Sequence, residues 1–468
     1  MKLPARPIFV ATFLLLATPV ILLIALNLYL LSPQIQEKIR SELSTALGTP
    51  ISIQSLHLTP TGGLKLKGIL AGSDQSNPIL TADSLTIYPK YLPLLKGQFS
   101  IKGLVLNHPI IRLPLSSSSL LIPLSSSSLS GDVVASENQS QLTTGSSIST
   151  PASTAASNTI FSGWKFENIL ISLPYLKIVD ADVTLLNSDS SPLAAMHEMK
   201  LHGKLGHDGI WNGNFEAGQA TIGTALILHE IHSPIRLSPD SKTLFLDELK
   251  AVLGGGDLQG KFSLDLPPAT PKYHTELSLT GALLNQFFAD ASLGTAASEG
   301  NVSGDLQLSG ITGTGTSMEG NGHLLCTDAV IEPADFLKQI GQLLQVDELQ
   351  LLRISEGHAS FAINDGKMTF DDLTLHSENL ALTARGPILL NGDLDLNARL
   401  LFNEKMSERL HGLLGSQMSA APEAGYSQIS FHVAGPIKHP STDLLERLTG
   451  IHFGGDLGGL LQGIFGHH

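Results

Sequence analysis

The chain has little cysteine, little charge and few aromatic residues. Of its 468 residues one is cysteine, 15% are charged and 5% are aromatic. The single cysteine, Cys326, cannot form an intrachain disulfide, and a lone cysteine is more often a small buried residue than a nucleophile. So few aromatic residues disfavour an outer-membrane β-barrel, which is flanked by aromatic girdles. The low charge, against a usual share of about 25%, favours many short strands and turns over a helical enzyme.

Motifs that carry catalysis or bind metals are also missing. The sequence contains no Gly-x-Ser-x-Gly elbow, no glycine loop for phosphates and no Cys-x-x-Cys pair. The segment "HEIH" lacks the spacing of a zinc-binding helix, and in a strand its His229 and His232 would point to opposite faces. Asp393 and Asp395 resemble a metal-nucleotide element, but they alternate with leucines as the polar side of a strand does. We therefore expect no enzyme, no metal site and no cofactor.

Charge is distributed unevenly along the chain. Residues 1–114 hold ten of the 28 Lys and Arg and four of the 42 Asp and Glu, which leaves 18 basic and 38 acidic residues in the remainder. A basic segment suits the anionic surface of a membrane, although ordinary solvated surface explains the same pattern. The acidic remainder argues against nucleic acid as a partner, because nucleic-acid binding needs a basic footprint.

Residues 8–31 form an uninterrupted run of 24 uncharged, mainly apolar positions. The run exceeds the roughly 20 residues needed to cross a bilayer. A cleaved signal peptide has a shorter apolar core and a small-residue cleavage site, so an uncleaved transmembrane anchor is favoured. Lys2 and Arg6 favour a cytoplasmic amino terminus. The sequence therefore predicts a single-pass membrane protein whose bulk lies outside the cytoplasm.

Behind this run, period-two alternation of apolar residues predicts strands at 51–58, 63–71, 79–89 and 99–113. Helices are predicted only briefly, most clearly at 335–353. The serine- and threonine-rich stretch 115–159 lacks any period and predicts a disordered insertion. The predicted organisation is an anchor (1–32), an N-terminal β segment that starts with a short amphipathic helix (33–114), the insertion (115–159), a central β region (160–300), a C-terminal β region (301–440) and a helical, glycine-rich tail (441–468).

Residues 360–400 show the alternation most clearly. Turn signals "NDGK" and "NGDL" separate the strands, and the apolar positions fall on one face of the resulting meander. Such a face could be covered by a second sheet, by closure of the sheet into a barrel, or by lipid. Alternation of apolar residues is the same in all three cases and does not distinguish between them. The residues predicted to line the face are Phe361, Ile363, Met368, Phe370, Leu373, Leu375, Leu380, Leu382, Ile388, Leu390, Leu394 and Leu396.

Two parts of the chain resemble the AsmA family of envelope proteins. After the apolar run, the segment "IQEKIRSELSTALGTPISIQSLHLTPTGGLKLKGILA" is similar to the family's opening helix and strands. Near the other end, "GDLQLSGITGTGTSMEGNGHLLCTDAVI", "ASFAINDGKMTFDDLTLHSENLALTARGPILLNGDLDL" and "ISFHVAGPIKHP" resemble the AsmA-like C-terminal region. These segments occur in the same order as in the family.

The resemblance implies a mostly β protein, an elongated antiparallel β-sheet groove or trough with few short helices, related to chorein-type, bridge-like lipid transfer proteins. It implies an anchor in the inner membrane, a body in the periplasm, and phospholipid acyl chains in the groove. The implied function is carriage of phospholipid between inner and outer membranes in support of outer-membrane assembly, with the outer membrane or envelope proteins as further partners. The family contributes no catalytic residues.

Two other function classes remain open from the sequence. A periplasmic scaffold would assist the assembly of outer-membrane proteins through exposed strand edges without carrying lipid. An envelope hydrolase remains as a minor alternative.

Overall fold

The described part of the chain forms one large sheet. In the computed structural model, the residues described are 37, 41, 44, 50–59, 62–72, 78–90, 101–114, 174–186, 191–223, 226–238, 243–265, 272–292, 299–311, 315–389, 391–414, 417–437 and 439–449. All 20 strands found there belong to a single hydrogen-bonded sheet. The predicted mostly β class, with a long antiparallel sheet and few helices, is confirmed.

The strands are long and are formed by segments in which apolar and polar residues alternate. Their bounds are β1 (Ile51–Leu58), β2 (Leu64–Ala71), β3 (Leu80–Pro89), β4 (Ile101–Pro114), β5 (Tyr175–Leu186), β6 (Pro192–Leu205), β7 (Trp211–Ile222), β8 (Leu226–Ser238), β9 (Thr243–Leu253), β10 (Gly256–Asp265), β11 (Lys272–Leu283), β12 (Glu299–Ile311), β13 (Glu319–Ile331), β14 (Leu352–Asn364), β15 (Lys367–His376), β16 (Leu380–Leu389), β17 (Asp393–Asn403), β18 (Ser419–Ala420), β19 (Tyr426–Pro436) and β20 (Ser441–Thr442).

Short helices interrupt the strands. They are α1 (Leu284–Asp290), α2 (Asp335–Leu344), α3 (Glu404–Leu414) and α4 (Leu444–Thr449), with 3₁₀ turns at Gly315–Ser317 and Asp347–Leu349. In the part of the chain that the structure describes, no helix has the length and apolar character needed to span a membrane. The predicted anchor at 8–31, the insertion at 115–159 and the end of the tail at 450–468 lie outside the described residues, as does most of the predicted amphipathic helix before β1.

Each strand pairs with the next one along the chain, so the sheet is a linear ladder from β1 to β17 and then β19. Two-residue strands β18 and β20 add to β19. One pair, β4 with β5, is parallel, which departs from the predicted antiparallel sheet. A parallel pair needs a crossover connection of about a dozen residues or more, and residues 115–174 between the two strands supply that length.

A line of irregular backbone crosses the sheet from β2 to β8. Gly68, His108, Asp180, Glu198 and Glu230 all have positive φ, between 45° and 59°. The strand registers place these residues at matching heights on their strands. Positive φ departs from the extended geometry of a strand, so a line of such residues distorts several neighbouring strands at one height and bends the sheet there.

Small side chains lie next to this line on the apolar side. Ala82 on β3, Ala181 on β5 and Ala217 on β7 occupy matching positions and are 5%, 0% and 3% exposed. Larger residues, Met199 and Ile231, alternate with them on β6 and β8. Alanine at every second strand leaves room between the larger side chains on the apolar side next to this line.

The apolar side of the sheet, called the inner face below, is partly covered by helices. Leu337 and Ile340 of α2, Leu410 of α3 and Leu444 of α4 belong to one buried cluster with strand residues such as Phe402. The ring of Phe336 also meets that of Phe431 on β19 edge-on, with centroids 6.4 Å apart. Helices therefore roof one end of strands β14 to β19, although the sequence indicated that helices long enough for this are rare.

The helix predicted at 335–353 is shorter in the structure and faces the sheet differently. Helix α2 ends at Leu344, where Gln345 takes a left-handed conformation with φ of 55°. A 3₁₀ turn and then β14 follow. The periodicity of the sequence puts Phe336, Ile340, Leu343 and Leu344 on one apolar stripe. In the structure Leu343 is 45% exposed, whereas Leu337 is buried in its place. The expected buried positions Ile340 and Leu344 are confirmed.

Candidate functional site

The strand registers bring the predicted lining residues into rows on the inner face. In one row Ile363 pairs with Met368, Met368 with Ile388 and Ile388 with Leu394. Directly paired residues of antiparallel strands project from the same face of a sheet. The apolar positions that are far apart in sequence are therefore neighbours across four strands.

Other rows follow the same pattern. Phe361 pairs with Phe370, and their rings lie 5.7 Å apart in a tilted arrangement. Leu375 pairs with Leu382, which pairs in turn with the buried Leu400. Leu373, Leu380 and Leu396 extend these rows towards β17 and β19, and Leu390 lies outside the described residues.

Strand β15 keeps this alignment by means of a bulge. Ser360 pairs with Asp372 and Phe361 with Phe370, so Asp371 is the extra residue. Because two polar residues in succession occupy the outer side there, the apolar residues on both sides of the bulge remain on the inner face. Strict alternation in the sequence is thus interrupted without loss of the apolar surface.

Exposure separates the lining residues into two groups. Phe361, Ile363, Phe370 and Leu380 are buried, at 8%, 3%, 9% and 1% exposed. The other described members are half-buried: Met368, Leu373, Leu375, Leu382, Ile388, Leu394 and Leu396. Half-buried apolar side chains retain surface that another molecule can cover, and the second group is where such surface lies.

The end of the strands that bears Phe361 has no helical roof among the described residues. The cluster around Phe361 contains strand and loop residues only, including Met318, Met368 and Ile388. The opposite end, around Leu380, packs against the helices. The open apolar surface therefore lies towards the turns that join β14 to β15 and β16 to β17.

Apolar packing is continuous along the ladder. The cluster on β1 to β4 and the cluster on β4 to β9 share the partly buried Leu104 and Val183. Phe215 links the second of these to the large cluster that extends to β19, and Leu373 links that cluster to the one around Phe361. The inner face is thus apolar from the first described strand to the last long one.

The outer face is polar and carries histidine–carboxylate pairs between neighbouring strands. The pairs join His108 to Asp83 (3.0 Å) and Asp180 (3.5 Å), His197 to Asp182 (3.0 Å), His323 to Asp305 (3.0 Å), His358 to Asp372 (3.0 Å) and His432 to Asp395 (3.3 Å). All of these side chains are at least 41% exposed. Such exposed pairs contribute little stability individually.

One of these carboxylates has a displaced pKa. Partial burial of Asp372 opposes its ionisation, but hydrogen bonds from His358 and Thr374 outweigh this effect and hold the pKa of Asp372 below its ordinary value. Asp372 therefore stays ionised on the outer face, which separates it from the apolar lining.

The polar motifs considered from the sequence do not converge on a site. Asp395 pairs with His432, and Asp393 bonds to Asn391 beside it. Within the described residues, no group of three or more His, Cys, Asp and Glu side chains is arranged to hold a metal ion.

The "HEIH" segment lies where β8 is irregular. Leu228 and Ile231 both pack against the same apolar cluster, so two residues separate them where regular alternation has one. The expectation that His229 and His232 point to opposite faces is therefore wrong, because each histidine directly follows an inner-face residue. His229 bonds to Asp290 of α1 at 3.3 Å, which gives it a structural role.

One half-buried inner-face residue was not among the predicted lining residues. Cys326 on β13 packs against the large apolar cluster, and burial raises the pKa of its thiol. It pairs with Val302 on one side and Gly357 on the other. The alternation of "HLLCTD" around it was the signal that could have found it.

Comparison with known proteins leaves the chain without an assigned relative. No family model, no curated protein and no solved structure matches it.

Proposed function

We propose that this protein carries phospholipid in the cell envelope, with the acyl chains lying along the inner face of the sheet. The observation that supports this most directly is the continuity of that face, in which the apolar clusters of β1 to β19 share members. The core of a compact domain does not need an apolar surface that continues along the whole sheet. A ligand with long apolar chains that moves along the sheet needs such a continuous surface.

A groove shape is supported by the bent backbone. The positive-φ residues from Gly68 to Glu230 run across the sheet, and the small Ala82, Ala181 and Ala217 line the apolar side of that bend. A sheet that curls around this side is a trough. The ladder of 18 long strands, at about 4.8 Å per strand, is at most about 80 Å long.

The resemblance to the AsmA family suggests where in the cell the protein would act. Residues 8–31 would anchor one end in the inner membrane, and the sheet would extend into the periplasm towards the outer membrane. Lipid headgroups would stay at the wet margin of the trough while the tails contact half-buried residues such as Met368, Ile388 and Leu394. Transfer of this kind needs no bond-breaking step, so we propose a carrier and not an enzyme.

The proposal is tested by purifying the full chain in detergent and identifying co-purified phospholipid by mass spectrometry. A matched pair of variants sharpens the test. Ile388→Asp places a charge on the inner face, and Leu389→Asp places the same charge one residue away, at a side chain that is 36% exposed. We expect Ile388→Asp to lose lipid and transfer activity between vesicles, and Leu389→Asp to retain both.

A folded Ile388→Asp protein that binds and transfers lipid normally would contradict the carrier mechanism. Circular dichroism and the thermal midpoint show whether each variant is folded. If the Ile388→Asp variant does not fold, Ile388→Ser supplies a smaller polar change at the same position.

A second candidate function is supported by the edge of the sheet. Within the described residues β1 pairs with β2 alone, so its other edge offers backbone groups to an added strand. A scaffold for outer-membrane protein assembly would use this edge. Crosslinking from Ser55, an exposed residue of β1, would capture a protein partner in that case, whereas lipid would be absent from the inner face.

A further inference from the structure

A depression of about 530 Å³ lies on strands β16, β17 and β19, with Arg447 of α4 at its margin. Arg385, Arg399 and Arg447 lie around it, with Asn397 and Ser430 between them. Three guanidinium groups in one depression are unusual in a chain of net charge −14.

Strand geometry explains why these arginines share one face. Ala384 and Ala398 are paired inner-face residues that belong to the large apolar cluster. Arg385 and Arg399 each follow one of these alanines, and successive side chains of a strand project to opposite faces. Both arginines therefore project from the outer face, and the backbone of the alanine row forms the floor between them.

Arg399 is fixed in its orientation. Its Nε donates to Thr383 Oγ1 at 3.1 Å and its Nη1 to Gln428 Oε1 at 3.3 Å. Its Nη2 donates to Glu423 Oε1 at 3.3 Å. The Glu423 carboxylate is 43% exposed, so it is an internal anion that is held on Arg399 and can leave towards solvent.

The other two guanidiniums differ in how they are occupied. Arg447 Nε donates to Asp443 Oδ2 at 2.6 Å. Arg385 makes no hydrogen bond or ion pair within the described residues and acts on Asp372 only at longer range. Two paired guanidiniums and one available guanidinium thus surround the same space.

We propose that this depression is a binding site for a phosphate group, with Arg385 as its main contact and Arg399 and Arg447 as supporting cations. Planar guanidinium groups match the geometry of phosphate oxygens and form charge-assisted hydrogen bonds with them. Asn397 and Ser430 offer neutral donors beside the arginines. Glu423 occupies part of the site when no phosphate is bound.

The phosphate belongs either to a lipid headgroup at a membrane surface or to a soluble phosphate ester. The site lies on the opposite face from the acyl-chain lining, so it is independent of the carrier proposal and can be tested while lipid transfer is intact. Headgroup binding would place the C-terminal end of the sheet against an anionic membrane.

The experiment uses the full chain in a neutral, phosphate-free detergent. Titration calorimetry with glycerol phosphate is the soluble arm. Titration calorimetry with mixed micelles of the same detergent and either phosphatidylglycerol or phosphatidylcholine is the membrane arm, because in micelles the apolar segment 8–31 is covered by detergent in every variant. The variants are Arg385→Gln, Glu423→Gln and, as a matched control, Arg353→Gln at an exposed arginine on β14. Lipid transfer is measured for each variant.

We expect Arg385→Gln to weaken binding about tenfold or more in whichever arm shows it, because it removes a hydrogen bond to a charged group. Glu423→Gln should strengthen binding, since it removes the competing internal anion, and Arg353→Gln should change nothing. Binding in the soluble arm identifies a phosphate ester, and binding in the membrane arm alone identifies a headgroup. Absence of binding in both arms, or binding that is equal in Arg385→Gln and Arg353→Gln, would overturn the proposal.

Discussion

The indole ring of Trp211 on β7 packs so closely against Gly203 on β6 that a methyl group at Gly203 would lie 2.2 Å from Cη2 of the ring. Trp211 is 2% exposed and belongs to the cluster that connects β4 to β9. The glycine therefore lets the largest side chain of this cluster lie across the neighbouring strand. Packing on the inner face depends on the absence of a side chain at one position.

Gly203→Ala should destabilise the protein by about 1–3 kcal/mol, the usual cost of forcing extra volume into a packed core. Gly412→Ala is the control, because a Cβ at Gly412 in α3 meets nothing within 4 Å. That control should be neutral or stabilising by up to about 1 kcal/mol, since alanine is the better helix former. Urea unfolding measures both changes, and equal stability of the two variants would contradict the packing described for Trp211.

The helical roof predicts a contrast within α2. Leu337→Ala should cost about 2–5 kcal/mol because Leu337 is buried against the sheet. Leu343→Ala should change the free energy of unfolding by no more than about 0.5 kcal/mol, because Leu343 is 45% exposed. Thermal unfolding followed by circular dichroism distinguishes the two. A larger effect at Leu343 would mean that α2 faces the sheet as the sequence alone indicated.

Asp372 makes the stability depend on pH. Its partial burial opposes ionisation, and the hydrogen bonds from His358 and Thr374 reverse this, so its pKa in the folded state lies below the ordinary value. The stability that it contributes is therefore present above the pKa of an unfolded aspartate, about 4, and is lost as the pH falls through the lower folded-state pKa. Asp372→Asn should be less stable than the wild type at pH 6, and the difference should shrink towards pH 3.

The neighbouring Asp371→Asn is the control for this pH series, because Asp371 is exposed. Unfolding midpoints in urea at several pH values provide the comparison. A difference between wild type and Asp372→Asn that stays constant from pH 6 to pH 3 would show that the carboxylate is not held by these hydrogen bonds.

Cys326 reports on the inner face directly. Its thiol is half-buried, and burial raises its pKa, so less thiolate is present at pH 8 than for a free cysteine and maleimide labelling should be slow. Phospholipid in the groove should slow labelling further. In a Cys326→Ser background, Leu325→Cys puts a thiol at the preceding position, where the native side chain is 42% exposed. Labelling there should be fast and unaffected by lipid, and the same lipid effect at both positions would count against a ligand on the inner face.

The sequence predicts the strands well where one face is apolar. The predicted strand at 51–58 matches β1, and those at 63–71 and 79–89 each start one residue before β2 and β3. The lining residues on β14 to β17 share one face because residues with a period of two project from the same side of a strand, and burial of that side fixes the strand register. The bulge at Asp371 was not predicted, although two adjacent aspartates interrupt the alternation within β15.

Other features of the fold depend on contacts between residues that are distant in sequence, and no local sequence pattern indicates them. Nothing in the residues of β4 and β5 indicates that they pair in parallel, because apolar alternation is the same for either strand direction. Positive φ at Glu198 and Glu230 is equally hidden, since glutamate carries no preference for that conformation. The arginine depression joins residues that are up to 64 positions apart and appears only once β16, β17 and β19 are aligned.

The most direct test of lipid carriage is photo-crosslinking from neighbouring positions on opposite faces of β16. A photoreactive amino acid replaces Ile388, which is paired with Met368 and Leu394 on the inner face, or Leu389, which is exposed. After irradiation in cells, the protein is purified and its adducts are identified by mass spectrometry. We expect phospholipid adducts at position 388 and few or none at 389. Adducts at 388 that contain only protein, or equal lipid labelling at the two positions, would contradict lipid carriage along this face.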